Sequence, residues 1–325
     1  NVIKCGSYVG NGSTDGPEIN LGFEPSWVMI KCTTEDQNWL IFDCMRGIVS
    51  GGNDNVLYPN LSNSEVTSAD WLRVTPTGFK INKTSGLVND DGDTYIHMCI
   101  RRPDGYVGKQ YGAGEGTSVF AMDTGAGGTT IPNFDSLFPV DFTLGKTVAS
   151  STDWFANARL MGQKELAPNK TTAEDSGAYA VFDSNLGWGN ASWQDSGNQS
   201  WMWKRHAGFD VLAYKGDGVI GRQIPHSMNK TVEMLWVKRR ESGSSSHAWT
   251  VYHKGLNGGT NPEQYYAILN TTAGEVDSNT RWNDTAPTSS HFTLGNSGAT
   301  NNSNGTYIAM LFASVDGISK VGSYT

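Results

Sequence analysis

Apolar residues along this chain fall in short alternating or continuous runs, bounded by Gly, Asn, Asp and Ser, and nowhere at helical spacing. Such runs between turn residues predict β-strands. Trp27-Val-Met-Ile-Lys31 and Thr94-Tyr-Ile-His-Met-Cys-Ile100 are typical runs, and Asn89-Asp-Asp-Gly92 and Asn301-Asn-Ser-Asn-Gly305 are turns that each feed a strand. At roughly six to eight strands per 100 residues, the pattern predicts an all-β chain built as β-sandwiches or jelly rolls.

The runs recur in order. Trp27 to Lys31 is matched by Phe142-Thr-Leu-Gly-Lys146 and Met234-Leu-Trp-Val-Lys238. Asn38-Trp-Leu-Ile-Phe-Asp43 is matched by Asp153-Trp-Phe-Ala-Asn-Ala158 and Ala248-Trp-Thr-Val-Tyr-His253. Leu57-Tyr-Pro-Asn60, Leu166-Ala-Pro-Asn169 and Ile268-Leu-Asn270 follow, and closing strands begin near Thr94, Ser200 and Thr306. A period of about 105–115 residues with this constancy predicts three tandem modules, 1–107, 108–207 and 208–325. The aligned Trp39, Trp154 and Trp249 are expected at one repeated core position between two sheets. Ile318-Ser-Lys-Val-Gly-Ser-Tyr-Thr325 repeats Val2-Ile-Lys-Cys-Gly-Ser-Tyr-Val9, so the last residues look like a first strand with no module behind it.

Composition narrows the function classes. The 325 residues carry 24 Lys and Arg against 32 Asp and Glu, a net charge of −8 without a basic stripe, which argues against nucleic-acid partners. No run approaches the roughly 18–20 apolar residues of a membrane span, so no membrane insertion is expected. The opening Asn-Val-Ile-Lys-Cys has neither an initiating Met nor a signal peptide, which points to processing or to a piece of something longer. Cys5, Cys32, Cys44 and Cys99 lack metal-site spacing and sit in apolar strand-like contexts, so most are expected to be buried free thiols.

Several segments resemble a module common in structural proteins of tailed phages, especially marine ones. They are SYVGNGSTDGPEINLGFEPSWVMIK (7–31), NWLIFDCMRG (38–47), GDTYIHMCIRRPDG (92–105), FPVDFTLGK (138–146), VYHKGLNGG (251–259), NTTAGEVDSNTRWNDTAPTSSHFTLG (270–295) and GISKVGSYT (317–325). Together they span nearly the whole chain. The resemblance implies a non-enzymatic virion part of the tail-fibre, appendage or decoration class. It also implies a lectin-like, concanavalin A-type sandwich fold, and supplies no catalytic residues.

Direct tests for chemistry point the same way. The six His residues show no HExxH or paired metal spacing, and Gly243-Ser-Ser-Ser-His247 is a polar loop rather than a nucleophile elbow. Asp and Glu lie scattered in turns, without the facing pair a glycosidase needs. Asn89-Asp-Asp-Gly-Asp93 has oxygen ligands for Ca²⁺ but reads better as a hairpin turn. No catalytic residue, metal site or cofactor is therefore expected.

Trp71, Trp188, Trp193 and Trp282 lie outside the aligned strands and are the candidates for stacking on sugar rings; packing at module or subunit interfaces is the other use of such residues. Ile318, Val321 and Tyr324 are the candidates for assembly, since a bare strand invites pairing with another sheet. The expectation is a non-catalytic structural protein of a virion or extracellular array, with copies of itself, other virion proteins and host surface glycans as partners. The alternatives are a glycan-binding adhesin module and, more remotely, a polysaccharide-degrading enzyme.

Overall fold

The structure is a computed structural model and describes residues 2–102, 108–127, 131–175, 180–190, 197–241 and 247–324. The chain divides into two compact units, Asn1–Tyr106 with Arg159–Gly162, and Val107–Ala158 with Gln163–Thr325. Both are all-β, as the hydrophobic pattern predicts; α1 (Asn279–Trp282) is the one α-helical turn among the described residues.

In the first unit β1 (Ile3–Val9), β2 (Glu18–Asn20), β3 (Pro25–Cys32), β4 (Leu40–Asp43), β5 (Asp54–Val56), β6 (Val66–Ala69), β7 (Leu72–Thr75), β8 (Gly78–Ile81) and β9 (Thr94–Arg101) follow in order. They pair as β1-β9-β3-β4, β2-β8-β7 and β5-β6. Alternation decides which side chains go inward. Val28, Ile30 and Cys32 of β3, Leu40 and Phe42 of β4, and Tyr95 and Cys99 of β9 meet Leu72, Val74, Phe79 and Ile81 of the smaller sheet in one core. Buried Asp54 ties the loops to that sheet, its carboxylate accepting the Val49, Trp71 and Leu72 N–H groups at 2.8, 2.7 and 2.9 Å. Burial nevertheless pushes its carboxyl up to about 8.

The second unit contains β10 (Phe120–Thr124), β11 (Phe134–Asp135), β12 (Phe142–Thr147), β13 (Phe155–Ala158), β14 (Ala180–Val181), β15 (Gly187–Asn190) and β16 (Asn198–Trp203). It continues with β17 (Phe209–Lys215), β18 (Arg222–Pro225), β19 (Met234–Arg239), β20 (Thr250–His253), β21 (Tyr265–Ile268), β22 (Val276–Asp277), β23 (His291–Leu294) and β24 (Thr306–Phe312). The sheets are β10-β16-β12-β13, β11-β15-β14, β17-β24-β19-β20-β21-β22 and β18-β23.

Three sheets share one order and one register. Ile3, Ile100, Trp27 and Asp43 stand in a row across β1-β9-β3-β4. Phe120, Trp203, Phe142 and Ala158 do so across β10-β16-β12-β13, and Phe209, Phe312, Met234 and His253 across β17-β24-β19-β20. The register also places Ala267, rather than Ile268, in the position that Leu57 and Leu166 fill, opposite Val251 as they lie opposite Ile41 and Ala156.

The first and third of these sheets are closed by the same side chains. Tyr8 stacks on Tyr95 and Tyr214 on Tyr307, each with centroids 5.1 Å apart and planes 14° apart. Their hydroxyls donate to the Val88 and Thr300 carbonyls, both at 2.8 Å. Fully buried Asn89 and Asn301 hold the loop after the opening strand. Asn89 accepts the Asn11 N–H at 2.9 Å and donates to the Ser13 carbonyl at 2.7 Å; Asn301 accepts the Asp217 N–H and donates to the Val219 carbonyl. The chain passes so close here that a Cβ at Gly10 would lie 2.1 Å from Asp90 O, and one at Gly216 2.2 Å from Asn302 O.

Two expectations need correction. None of the four cysteines is in a disulfide, but only Cys32 and Cys99 are buried, while Cys44 is half-buried and Cys5 exposed on edge strand β1. Trp39, Trp154 and Trp249 do not share a core position: Trp39 is half-buried, Trp154 is 39% exposed and Trp249 is fully buried.

Asn89→Ala is expected to lower the unfolding free energy by about 2–3 kcal/mol, because the Asn11 N–H and Ser13 carbonyl lose their buried partner. Asp91→Ala, in the exposed part of the same turn, should change it by less than about 0.5 kcal/mol. Urea unfolding curves of the two variants check this.

Candidate functional site

The best-defined polar constellation repeats where the third strand of each large sheet starts. Strands β4, β13 and β20 each begin just after an aligned tryptophan. The backbone N–H of Trp39, Trp154 and Trp249 donates to the side-chain oxygen of Asn60, Asn169 and Asn270, at 3.0, 3.1 and 2.9 Å. A strand's first N–H would otherwise lack a partner, and a short amide side chain from the next turn supplies one. The aligned lysines satisfy carbonyls close by. Lys146 Nζ donates to the Ser150 and Thr152 carbonyls at 2.8 and 2.7 Å, and Lys238 Nζ to the His247 and Thr171 carbonyls at 2.7 and 2.9 Å. Burial lowers the Lys238 ammonium to about 8.

What differs among the three positions is cover. Within the second unit, the turn at 166–175 lies against β19 and β20. The Trp249 indole N–H donates to the Ala167 carbonyl at 3.0 Å, and the Glu174 N–H to the Arg240 carbonyl at 2.7 Å. Arg240, 1% exposed, returns an ion pair to Glu174 at 2.7 Å. This turn is why Trp249 is buried while Trp154, held by the same backbone bond, is not.

A second contact in the same unit surrounds the entry to β17. Phe209 packs on Phe142 and Trp203, with centroids 5.8 and 6.0 Å away. Beneath it Arg205 pairs with Asp210 at 2.6 Å, both buried, and the Arg205 N–H donates to Asp141 at 2.8 Å. His206 Nδ1 accepts the Gly208 N–H at 3.0 Å, and the ring meets Tyr111 edge-on at 6.0 Å. Burial, reinforced by Lys204, brings this imidazole down to about 4.

The sugar-stacking expectation is corrected for three of its residues. Trp71, Trp188 and Trp282 are 4%, 0% and 2% exposed and belong to hydrophobic cores. Trp188 is stacked against Phe134 and Phe182, its N–H on Ser200 at 2.9 Å, and Trp282 ends α1 against Tyr252. No ring face is left for a ligand. Trp193 lies outside the described residues. A more accessible aromatic pair is Trp154, 39% exposed, with half-buried Trp201, stacked at 5.5 Å and 26° beside Met122, which is 63% exposed. The alternation of β16, with Ser200 and Met202 inward, was the signal that Trp201 faces outward. Of the assembly candidates, Ile318 sits half-buried in a turn, Val321 is buried and Tyr324 is 99% exposed.

Acidic chemistry is thinly supported. Burial raises Glu165 to about 7, against a hydrogen bond from Asn157, with Asp175 opposite it in a backbone bridge. Among the described residues, no three His, Cys, Asp or Glu side chains gather as a metal-ligand set.

Two predictions follow from the covered and uncovered positions and from the buried imidazole. Trp249→Phe should cost about 1–2 kcal/mol beyond Trp154→Phe, since only the former removes an indole hydrogen bond and packing from a fully buried site; paired urea titrations read the difference. His206 has a folded pKa below its unfolded value, so the folded state holds fewer protons between roughly pH 4 and 6.5. Stability of the second unit should therefore fall as the pH drops through that window, and His206→Gln should flatten the slope; thermal melts across pH check the sign.

Over residues 3–103 and 124–325 the chain matches the family described as domain of unknown function DUF7483. No curated protein matches it. With most of its length matched, the chain belongs to the DUF7483 family.

Proposed function

We propose that this chain is a non-catalytic structural protein of a virion, as a tail fibre, appendage or decoration, or of a similar extracellular assembly. In this reading it consists of three copies of one jelly-roll or lectin-type sandwich, at 1–107, 108–207 and 208–325. The observation that carries the reading is the contact inside the second unit. The 166–175 turn docks on β19 and β20 through the Trp249 and Lys238 donors and the Glu174–Arg240 pair. A surface that satisfies its neighbour's carbonyls and charges while burying an indole is suited to stacking modules, and stacked modules make extended particles. The sheet order and register shared by three sheets support the module count, and the phage-like motifs support the setting.

A second reading, binding of host surface glycans, draws on a different place from the one the sequence suggested. The stacked Trp154 and Trp201 expose an aromatic surface of the kind sugar rings pack on.

Gold-labelled antibodies against the chain, applied to particles and filaments shed by a culture that produces it, are expected to decorate those structures. Label confined to the cell interior would overturn the structural reading. A polysaccharide panel separates the rivals. Retention that Trp154→Ala abolishes would favour the adhesin, and turnover that Glu165→Gln abolishes would favour the enzyme.

A further inference from the structure

One row of side chains across the second large sheet differs in chemistry from its two counterparts. The bridge of Ala156 to Leu166 sets Asn157 opposite Glu165, and Glu165 is itself bridged to Asp175. With Thr143 of β12 opposite Asn157, the row reads Thr143, Asn157, Glu165, Asp175. The same register gives Val28, Phe42, Val56 and Val66 in the first sheet. In the third it gives Leu235, Tyr252, Tyr266 and Val276. Side chains directly opposite each other on antiparallel strands lie on one face. Each row runs outward from the core: Val28, Thr143 and Leu235 are fully buried, whereas Val66 is half-buried and Asp175 and Val276 are exposed. Four positions that are apolar or aromatic in two sheets have thus become polar together in the other.

Such a row is unfavourable by itself. Carboxylates directly opposite each other repel, and burial, with Asp175 adding to it, already raises Glu165 to about 7. The adjacent Glu174 is spent on Arg240. Asn157 is 0% exposed; its Nδ2 donates to the Lys164 carbonyl at 3.0 Å, and its amide hydrogen-bonds the Glu165 carboxyl. Its Oδ1, however, is buried with no partner. Buried oxygens of this kind demand a partner. Two carboxylates and an amide oxygen in one row make the same demand, for a positive centre that several oxygens can share.

We propose that Glu165, Asp175 and Asn157 form a calcium site, with the two carboxylates and Asn157 Oδ1 as protein ligands and water completing the shell at the exposed Asp175 end. The donors are all hard oxygens, which suit an alkaline-earth cation rather than zinc or copper. Calcium accepts donors whose positions are fixed by strand spacing, where magnesium demands a near-ideal octahedron. Three protein oxygens are few for calcium, so binding is weak, with a dissociation constant of roughly 0.1–1 mM, the range of extracellular modules. The bound ion ties both ends of the 166–175 turn to β13, and this is the turn that covers Trp249 and carries Glu174 to Arg240. The site does not depend on the setting in which the chain is assembled.

The test uses the full chain, stripped of metal with a chelator and held at about pH 8, where Glu165 is ionised. Titration with calcium chloride, followed by calorimetry and thermal melting, is expected to show one ion per chain and a melting midpoint that rises over the same concentrations. Asp175→Asn and Glu165→Gln should each weaken binding at least tenfold, and Asn157→Asp, which adds a third carboxylate, should tighten it. Asn157→Phe, Glu165→Val and Asp175→Val combined copy the row of the first sheet and should fold without any response to calcium. Should a variant at a buried position fail to fold, Asp175→Asn decides, because that side chain is exposed. No heat and no melting shift up to about 10 mM calcium, well above the expected range, or a response that survives Asp175→Asn, overturns the site.

Discussion

Pairing of the first strand of each large sheet with its last is the constraint on which the rest of the structure depends. The pairs β1 with β9 and β17 with β24 join residues some 90–100 positions apart, and such closure costs loop entropy that local contacts cannot offset. The tyrosine stacks and the buried Asn89 and Asn301 sit where that closure is made. Each Asn acts only when the two ends are together, holding the loop after the opening strand against the turn before the closing one. Closure in one register then sets the row of residues for the remaining strands, because a slip of one would turn every core side chain outward.

Given a common frame, the fate of each repeated position is decided by what covers it. Ile96 and Ile308 stand at the same place on β9 and β24, but the first is 40% exposed and the second fully buried. Trp154 and Trp249 share the backbone bond to an Asn, yet only Trp249 lies under the 166–175 turn. The frame is thus repeated while the surfaces diverge, and functional differences between the sheets belong to the surfaces.

That split also explains what was legible in the sequence. Strands such as β3, β4 and β9 were readable because period-two apolar runs report a local property, the alternation of side chains across a pleat. The burial of tryptophans was not readable, because it depends on elements far along the chain. Trp188 reads as a loop residue between glycines, and only the folded β15 brings it between Phe134 and Phe182. Trp282 likewise reads as polar-loop sequence until α1 turns it onto Tyr252. Residues 320–324 show the converse: their strand pattern is plain in the sequence, but a strand needs a partner, and among the described residues they pair with none.

The charges buried in the second unit follow the same logic of position over strength. Replacing a buried ion pair by apolar groups of similar volume is often neutral or stabilising, so Arg205–Asp210 and Arg240–Glu174 are weak explanations of stability. They are better explanations of alignment. Phe142, Trp203, Phe209 and Phe312 form an aromatic layer with centroid spacings between 5.2 and 6.0 Å, and such a layer tolerates sliding because dispersion is nearly non-directional. Asp210 removes that freedom, with one oxygen on Arg205 and the other on the Ser227 N–H. Any displacement would leave a charge buried without its hydrogen bonds, a cost of several kcal/mol that the aromatic layer cannot absorb. The polar contacts therefore convert an adhesive surface into one with a single seat, which is the property a module must have if copies of it are to build a particle of defined geometry.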